Sequence, residues 1–121
     1  MPARPAIGEV MAAAARGAKQ AGGTTIGILP GETRTEANPW LDHVVVTGIG
    51  HARNLAVVGS GDAVIAVGGR YGTLAEIGLA LTLGRPVVVL EPGWEVEGTL
   101  RAATPEAAVR LVLSAVVGHT S

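Results

Sequence analysis

Cysteine and phenylalanine are absent from the 121-residue sequence, and its aromatic residues are two tryptophans and one tyrosine. Without cysteine there is no disulfide bond, no thiolate nucleophile and no cysteine-ligated zinc. The histidines, His43, His51 and His119, are not spaced as zinc ligands, so we expect no metal site. No apolar run approaches the ~18 residues of a membrane span, and no signal peptide is evident. We therefore expect a cytoplasmic protein without membrane contacts.

Charge of either sign is also scarce. Nine lysine and arginine residues stand against ten aspartate and glutamate residues, for a formal net charge of −1. The basic residues are scattered, whereas proteins that bind nucleic-acid phosphates usually cluster them. The acidic residues between positions 91 and 97 lack a tight metal-ligand pattern and are interpreted as a solvated loop. We expect no nucleic-acid partner.

Glycine and aliphatic residues are abundant instead. The chain has 18 glycines, and 48 % of its residues are hydrophobic. This composition suits a core of Val, Ile, Leu and Ala with many tight turns between strands and helices, and it argues against a helical bundle. The length fits a single domain over residues 1–121.

Short β-branched runs alternate with segments of helical periodicity along the chain. The predicted strands are residues 24–29, 43–47, 63–67 and 86–90, and the predicted helices are residues 7–21, 51–59, 74–83 and 105–117. Thr104 is predicted to cap the last helix, with Pro105 at its first position and Gly118 at its end. The rest is interpreted as loop, including residues 91–104.

The predicted strands are apolar without alternation, which is typical of a parallel sheet covered on both faces. The predicted fold class is therefore α/β, Rossmann-like, with a mostly parallel sheet and helices on both faces. The predicted helix 74–83 is apolar nearly all round. Either the sheet and its neighbours bury it fully or another subunit does, and this favours a homo-oligomer, a dimer or larger.

The stretch AVIAVGGRYGTLAE, residues 63–76, combines a strand, a glycine loop (residues 68–73) and a helix. In open α/β sheets a ligand binds beyond the carboxyl ends of the strands. Gly68 and Gly69 let the backbone approach a ligand, and the unpaired amides at a helix start favour an anion such as phosphate. Thr73 adds a hydroxyl, Arg70 a guanidinium, and Glu76 a carboxylate about one turn into the helix.

The same stretch also has a purely structural interpretation. Thr73 and Glu76 have the spacing of a capping box, in which each side chain satisfies a backbone amide at the helix start. The glycines then only turn the chain. The loop is neither a Walker A motif nor a GxGxxG motif, so the pattern alone leaves both interpretations open.

Trp40 lies in a polar segment, residues 32–41, that also has two interpretations. It is either a plain connection, which we favour, or a lid with Trp40 as a flat contact for a ligand.

Four stretches together resemble the LONELY GUY and lysine decarboxylase-like Rossmann superfamily, nearest its branch of molybdenum-cofactor carrier proteins. They are residues 8–11 with 16–18, TIGILPG at 25–31, Arg53-Asn54, and GGRYGTLAE at 68–76. The resemblance implies that the glycine loop holds a ligand phosphate. The binding positions it implies are Gly68, Gly69, Arg70, Gly72 and Thr73, with Asn54 and Gly8.

Enzymes of this superfamily hydrolyse the N-glycosidic bond of nucleoside 5′-monophosphates. Arg53 matches the arginine, and Glu76 the glutamate, that carry this chemistry. The resemblance implies that the carboxylate steadies an oxocarbenium-like sugar or orients water, while the guanidinium holds the nucleotide.

The sequence departs from the hydrolase pattern at several positions. Gly68 stands where the hydrolases have proline, a change that the carrier branch tolerates, and Arg70 stands where glycine is usual. Glu9 places a negative charge where an anion site is expected. These departures shift the expectation from hydrolysis towards binding.

Family members begin with a strand, a helix and a second strand before the stretch that corresponds to Gly8. The fold expected here lacks these elements, which is explained by a late start site, a truncated product or a sheet completed by another subunit. Residues 24–29 are then expected to lack a strand to pair with, at a cost in unpaired backbone groups.

These observations predict a Rossmann-like protein that binds a small phosphate-containing ligand and requires no cofactor. The alternatives are a nucleoside 5′-monophosphate phosphoribohydrolase, a molybdopterin carrier without turnover, and an oligomeric remnant that binds nothing. The ligand is accordingly a nucleoside monophosphate or a compound of the molybdopterin type.

Overall fold

The computed structural model describes residues 7–29, 37–68 and 71–120, and their architecture is α/β. In chain order the elements are α1 (Ile7–Gln20), β1 (Ile26–Leu29), β2 (His43–Val46), α2 (Arg53–Ser60), β3 (Val64–Ala66), α3 (Tyr71–Thr82), β4 (Val87–Leu90), β5 (Leu100–Ala102) and α4 (Pro105–Thr120). A 3-10 turn, Gly50–Ala52, directly precedes α2. All the strand pairs among these elements are parallel, which confirms the predicted fold class. No helix in the described ranges is long and apolar enough to cross a membrane.

The chain divides into two compact units, Met1–Arg53 and Asn54–Ser121. The interpretation of residues 1–121 as a single domain stays a prediction. In the first unit β1 pairs with β2 along its whole length, from Ile26 opposite His43 to Leu29 opposite Val46. The expectation that residues 24–29 lack a strand to pair with is therefore wrong, because β2 satisfies one edge of β1.

A polar cluster holds the start of β1 to the start of β2. The Asp42 carboxylate accepts hydrogen bonds from the Thr25 amide, at 2.7 Å, and from Lys19 Nζ, at 2.5 Å. The Lys19 hydrogen bond, followed by that from the Thr25 amide, holds the pKa of Asp42 below its usual value. Thr25 is itself buried, and its hydroxyl donates to the Trp40 carbonyl oxygen at 2.6 Å. Side chains from α1 and both strand ends thus fix the register of this sheet.

The second unit is built around β4, which lies between β3 and β5. Val87 and Val89 pack with residues of α2 and α3, whereas Val88 packs with Ala102 of β5 and Ala108 of α4. Successive side chains of a strand point to opposite faces, so this sheet is covered by helices on both sides. Coverage on both sides explains why β4 is apolar along its length and does not alternate between apolar and polar residues.

Helix α3 begins earlier than predicted, whereas its end agrees with the predicted stop at Gly84. It begins at Tyr71, so Thr73 lies inside the first turn and the predicted capping box with Thr73 as the cap is wrong. It ends in a Schellman motif, with the Arg85 amide donating to the Ala80 carbonyl and the Gly84 amide to that of Leu81. Gly84 has φ +72°, which glycine adopts without strain and which explains the predicted stop at this residue.

The burial of α3 is one-sided. Ile77 and Ala80 face the core, whereas Ala75, Gly78 and Thr82 are exposed. The described elements of this chain therefore do not bury the helix on all sides, and burial of this face by another subunit stays a prediction. The homo-oligomer stays a prediction.

Two smaller expectations about the C-terminal part have different outcomes. Thr104 caps α4 as predicted, its hydroxyl accepting a hydrogen bond from the Ala107 amide at 3.1 Å. The helix does not end at Gly118 but continues to Thr120. The predicted loop 91–104 contains strand β5, which pairs with β4 from Leu100 opposite Val88 onward.

Candidate functional site

The candidate site lies in the second unit, at the carboxyl end of β3. After this strand the chain reaches Gly68, whose φ of +97° is strained for any residue with a β-carbon. An ideal β-carbon built there meets no atom of the described chain within 4 Å. Among the described residues, no atom therefore blocks the approach of a ligand on that side of Gly68. The predicted site residues Gly69 and Arg70 lie outside the described residues.

The last three residues of the glycine loop form the first turn of α3. The first amides of a helix have no intrahelical acceptors, and the positive end of the helix dipole lies behind them. A β-carbon added at Gly72 meets nothing within 4 Å among the described residues, so the backbone of this turn is also accessible. The geometry suits an anion held by backbone N–H groups.

Thr73 and Glu76 lie together near the start of α3. Both are half-buried, and they adjoin the helix face that carries the buried residues Ile77 and Ala80. Glu76 is the only charged residue in α3. Gly72, Thr73 and Glu76 thus lie in the first two turns of α3, shortly after Gly68, and their role in a ligand site stays a prediction.

The segment that follows β4 lies against the glycine loop. A β-carbon added at Gly93 would lie 3.7 Å from the Gly68 carbonyl oxygen. Arg101 of β5 fixes this segment, because its Nε donates to Glu91 at 2.8 Å and its Nη1 donates to the Trp94 carbonyl at 2.8 Å. The carboxyl ends of β3, β4 and β5 thus form one continuous edge.

An open depression of about 460 Å³ runs along the part of this edge beyond β4 and β5. Its lining residues are Glu91, Pro92, Gly93, Glu95, Arg101 and Ala103. Within the described ranges, no group of three or more histidine or acidic residues is arranged to hold a metal ion. The sequence interpretation missed this depression because residues 91–104 were assigned to a solvated loop. Their position directly after a strong strand was the available signal, since ligands bind beyond the carboxyl ends of parallel strands.

Tyr71 and Trp94 also meet at this edge. Their ring centroids are 5.9 Å apart, and the ring planes are inclined by 35°. Tyr71 is 82 % exposed, whereas Trp94 is half-buried and packs against the core residues of the second unit. Neither residue was among the predicted site residues.

The other predicted site residues begin α1 and α2. Arg53 is the first residue of α2, and its Nη1 donates to the Ile28 carbonyl at 3.2 Å, near the carboxyl end of β1. Asn54 follows it and is 6 % exposed, an unusual degree of burial for an amide side chain. Gly8 lies in the first turn of α1. Arg53 and Gly8 belong to the first unit, and their roles in a site stay predictions.

The segment around Trp40 is a structural connection in its described part, residues 37–42. The guanidinium carbon of Arg16 lies 5.5 Å from the centroid of the Trp40 ring, a cation–π contact. The Trp40 amide donates to the Asn38 side chain at 3.0 Å, and the Trp40 carbonyl accepts from Thr25. These contacts support the favoured interpretation of Trp40 as part of a connection.

Parallel strands joined through helices, with a glycine turn where a strand passes into a helix, define the Rossmann-like class of α/β proteins. Within that class the chain belongs to the SLOG cluster4 family, which matches residues 6–117.

Individual relatives agree with this assignment. An uncharacterized protein of Archaeoglobus fulgidus is 44 % identical over 111 residues, which cover 92 % of this chain and 73 % of that protein. The molybdenum cofactor binding protein of Rippkaea orientalis is 37 % identical with a TM-score of 0.81, over 88 % of this chain and 71 % of that one. The molybdenum cofactor carrier protein of Chlamydomonas reinhardtii is 34 % identical with a TM-score of 0.78, over 91 % and 72 %. The predicted resemblance to the superfamily, nearest its carrier branch, is confirmed.

Proposed function

We propose that the protein binds a phosphate-bearing ligand of the molybdopterin type and carries it without chemical turnover. The observation that carries the proposal is the positive φ of Gly68, three residues before Tyr71, where α3 begins. The similar structures from Rippkaea orientalis and Chlamydomonas reinhardtii are molybdenum cofactor binding and carrier proteins, and this supports the choice of ligand.

The residues at the turn fit the phosphate of such a ligand. No described atom lies within 4 Å of a β-carbon built at Gly68 or at Gly72, so no described side chain covers the backbone on that side. The hydroxyl of Thr73, two residues into α3, adds a donor from the same turn. In this proposal Gly69 and Arg70 complete the loop, and the helix dipole favours the negative charge.

Hydrolysis of a nucleoside monophosphate is the second candidate. It is favoured by Glu76, the single charge in an otherwise uncharged helix, held half-buried near the proposed phosphate position. In this alternative Glu76 steadies the sugar cation or orients water, and Arg53 holds the nucleotide. Binding remains the preferred proposal because position 68 is glycine, as in the carrier branch, rather than the proline of the hydrolases.

A ligand titration with paired threonine variants tests the binding site. Thermal unfolding of the purified chain is followed with molybdopterin and, separately, with AMP. The melting temperature is expected to rise with ligand concentration, because a ligand that binds only the folded state stabilises it. Thr73→Val is expected to reduce that rise.

The matched control is Thr82→Val in the same helix. The Thr82 hydroxyl is exposed and donates only to the Gly78 carbonyl of its own helix among the described contacts, so this variant is expected to keep the full rise. Equal losses in the two variants, or no rise with either ligand in a sample that melts cooperatively, would contradict the proposal.

Release of free base separates the two candidates. A carrier releases no adenine from AMP, whereas a phosphoribohydrolase releases adenine at a rate that Glu76→Gln abolishes. Base release that is sensitive to Glu76→Gln but not to Glu106→Gln, on the first turn of α4, would replace the carrier proposal with the enzyme.

A further inference from the structure

Tyr71 is an aromatic residue of the second unit that packing within the unit leaves largely exposed. It is the chain's only tyrosine, yet its side chain is 82 % exposed at the first position of α3. An aromatic ring buries a large apolar area when it packs, and core and interface positions are where such rings are used most. Tyr71 belongs to the part of the glycine loop that forms the first turn of α3.

Trp94 gives Tyr71 a fixed neighbour. Its side chain packs against the buried core of the second unit, and its carbonyl is held by Arg101, which is in turn paired with Glu91. The 5.9 Å separation of the two ring centroids lies in the range of interacting aromatic pairs. Trp94 therefore forms a supported surface beside the more exposed Tyr71.

We propose that Tyr71 and Trp94 form the stacking surface for the planar heterocycle of the ligand whose phosphate lies on the glycine loop. This inference rests on the proposed function and specifies the ligand class as a phosphorylated planar heterocycle, a pterin or a purine. Stacking on aromatic side chains contributes to affinity for any flat ring and does not depend on its exact hydrogen-bonding pattern.

The depression beyond Trp94 suits the polar edge of such a ring. Glu91 and Glu95 line it, and carboxylate oxygens accept hydrogen bonds from ring N–H and amino groups. A pterin carries those donors on the pyrimidine part of its ring. The phosphate, the ring face and the ring edge thus have complementary groups along one strand edge.

Single-tryptophan variants give a direct readout of stacking. Trp40→Phe leaves Trp94 as the sole tryptophan, and Trp94→Phe leaves Trp40 in the first unit as the control. Titration with hydroxymethylpterin monophosphate is expected to quench Trp94 emission with a saturable curve and to leave Trp40 emission unquenched beyond the absorbance of the free ligand. Ribose 5-phosphate, which has a phosphate but no aromatic ring, is expected to bind without quenching.

Variants at Tyr71 test its contribution. Tyr71→Ala is expected to weaken binding of the pterin phosphate about tenfold and to leave the affinity for ribose 5-phosphate unchanged. Tyr71→Phe is expected to retain binding of both. Leu113→Ala, which removes an exposed apolar side chain from α4, is the matched control and is expected to change neither affinity.

The outcomes separate the inference from the proposed function. If both ligands bind and Tyr71→Ala weakens them equally or not at all, the stacking surface is wrong and the phosphate site stands. If neither ligand raises the melting temperature of the wild-type protein, the phosphate site fails and the stacking surface is overturned with it.

Discussion

At the scale of single residues, Gly68 has the most constrained backbone among the described residues of the candidate site. Its φ of +97° is not accessible to an L-residue without strain, although the space around it is open. The sequence identifies this position as a glycine turn, but only the backbone conformation shows that glycine is required there rather than tolerated.

Gly68→Ala is therefore expected to destabilise the protein by about 1–3 kcal/mol, through backbone strain alone. Gly78→Ala is the matched control in the exposed face of α3, where the glycine has ordinary helical φ and an added β-carbon meets no described atom within 4 Å. That variant is expected to stabilise by about 0.5–1 kcal/mol. Urea unfolding measures both, and a loss of stability in the control or none at Gly68 would contradict the argument.

The lowered pKa of Asp42 predicts that the stability of the protein depends on pH. Its pKa is lowered in the folded state, first by the hydrogen bond from Lys19 and then by that from the Thr25 amide. A group whose pKa is depressed on folding stabilises the protein above its unfolded pKa of about 3.9 and ceases to do so as the pH falls through the folded value. The stability difference between wild type and Asp42→Asn is expected to be complete at neutral pH and to shrink below about pH 4.

Chemical unfolding at a series of pH values measures that difference. Asp62→Asn, in the exposed turn before β3, is the control and is expected to change stability at neutral pH by no more than ~0.5 kcal/mol. A difference for Asp42→Asn that grows on acidification would have the wrong sign and would exclude the hydrogen-bonded carboxylate as its cause.

At the scale of elements, the N-terminus of α4 depends on one side chain. The Thr104 hydroxyl satisfies the Ala107 amide at the third position of the helix. Thr104→Ala is expected to destabilise the protein by about 1 kcal/mol, whereas Thr104→Ser, which keeps the acceptor, is expected to stay near wild type. Denaturant midpoints of the two variants check this, and equal losses would show that the methyl group rather than the hydroxyl matters.

The elements that the sequence predicted are those with strong local signals. The run PVVVL predicts a buried strand because no other arrangement covers consecutive valines so well, and β4 confirms it. Strand β5, Leu100–Ala102, is not predicted because it has no β-branched side chain and because three residues are too few for an alternating pattern to indicate a strand. Residues 100–102 form a strand because β4 supplies their hydrogen-bond partners. The sequence of β5 itself does not show those partners.

The start of α3, within the candidate site, is a second case in which the local sequence does not predict the structure. Thr73 is a good capping residue, and local preference therefore predicts that the helix begins at residue 74. The helix instead begins at Tyr71, three residues earlier. The sequence therefore predicted the loop, the helix and the nearness of Thr73 to Glu76. It did not predict the contact between Tyr71 and Trp94, because residues so far apart in the chain meet only through the order of the strands.

At the scale of the whole molecule, the central strand β4 of the second unit is better covered than the strands of the first unit. Val87, Val88 and Val89 of β4 are almost completely buried, whereas Ile26, Val45 and Ile49 in the first unit are more than a third exposed. Burial of apolar side chains and protection of backbone hydrogen bonds both raise the free energy of local opening.

Amide hydrogen exchange is therefore expected to be slowest in β4 and measurably faster in β1 and β2. Mass spectrometry of peptides that cover residues 86–90 and 24–29 compares the two sheets in one experiment, since each peptide comes from one unit only. Equal protection of both peptides would indicate that the exposed apolar residues of the first unit are covered in solution.

Gly93 restricts which mutations the protein tolerates in the segment after β4. Any β-carbon there would lie 2.7 Å from Cγ1 of the buried Val89 and 2.9 Å from the backbone oxygen of Leu90. Every missense change of a glycine codon adds at least that one atom, so no single-base missense mutation at this codon is neutral for the segment that supports Trp94. Divergence of ligand preference among descendants of this gene is therefore expected to proceed through the flanking codons, such as those of Glu91 and Glu95, while codon 93 changes only synonymously.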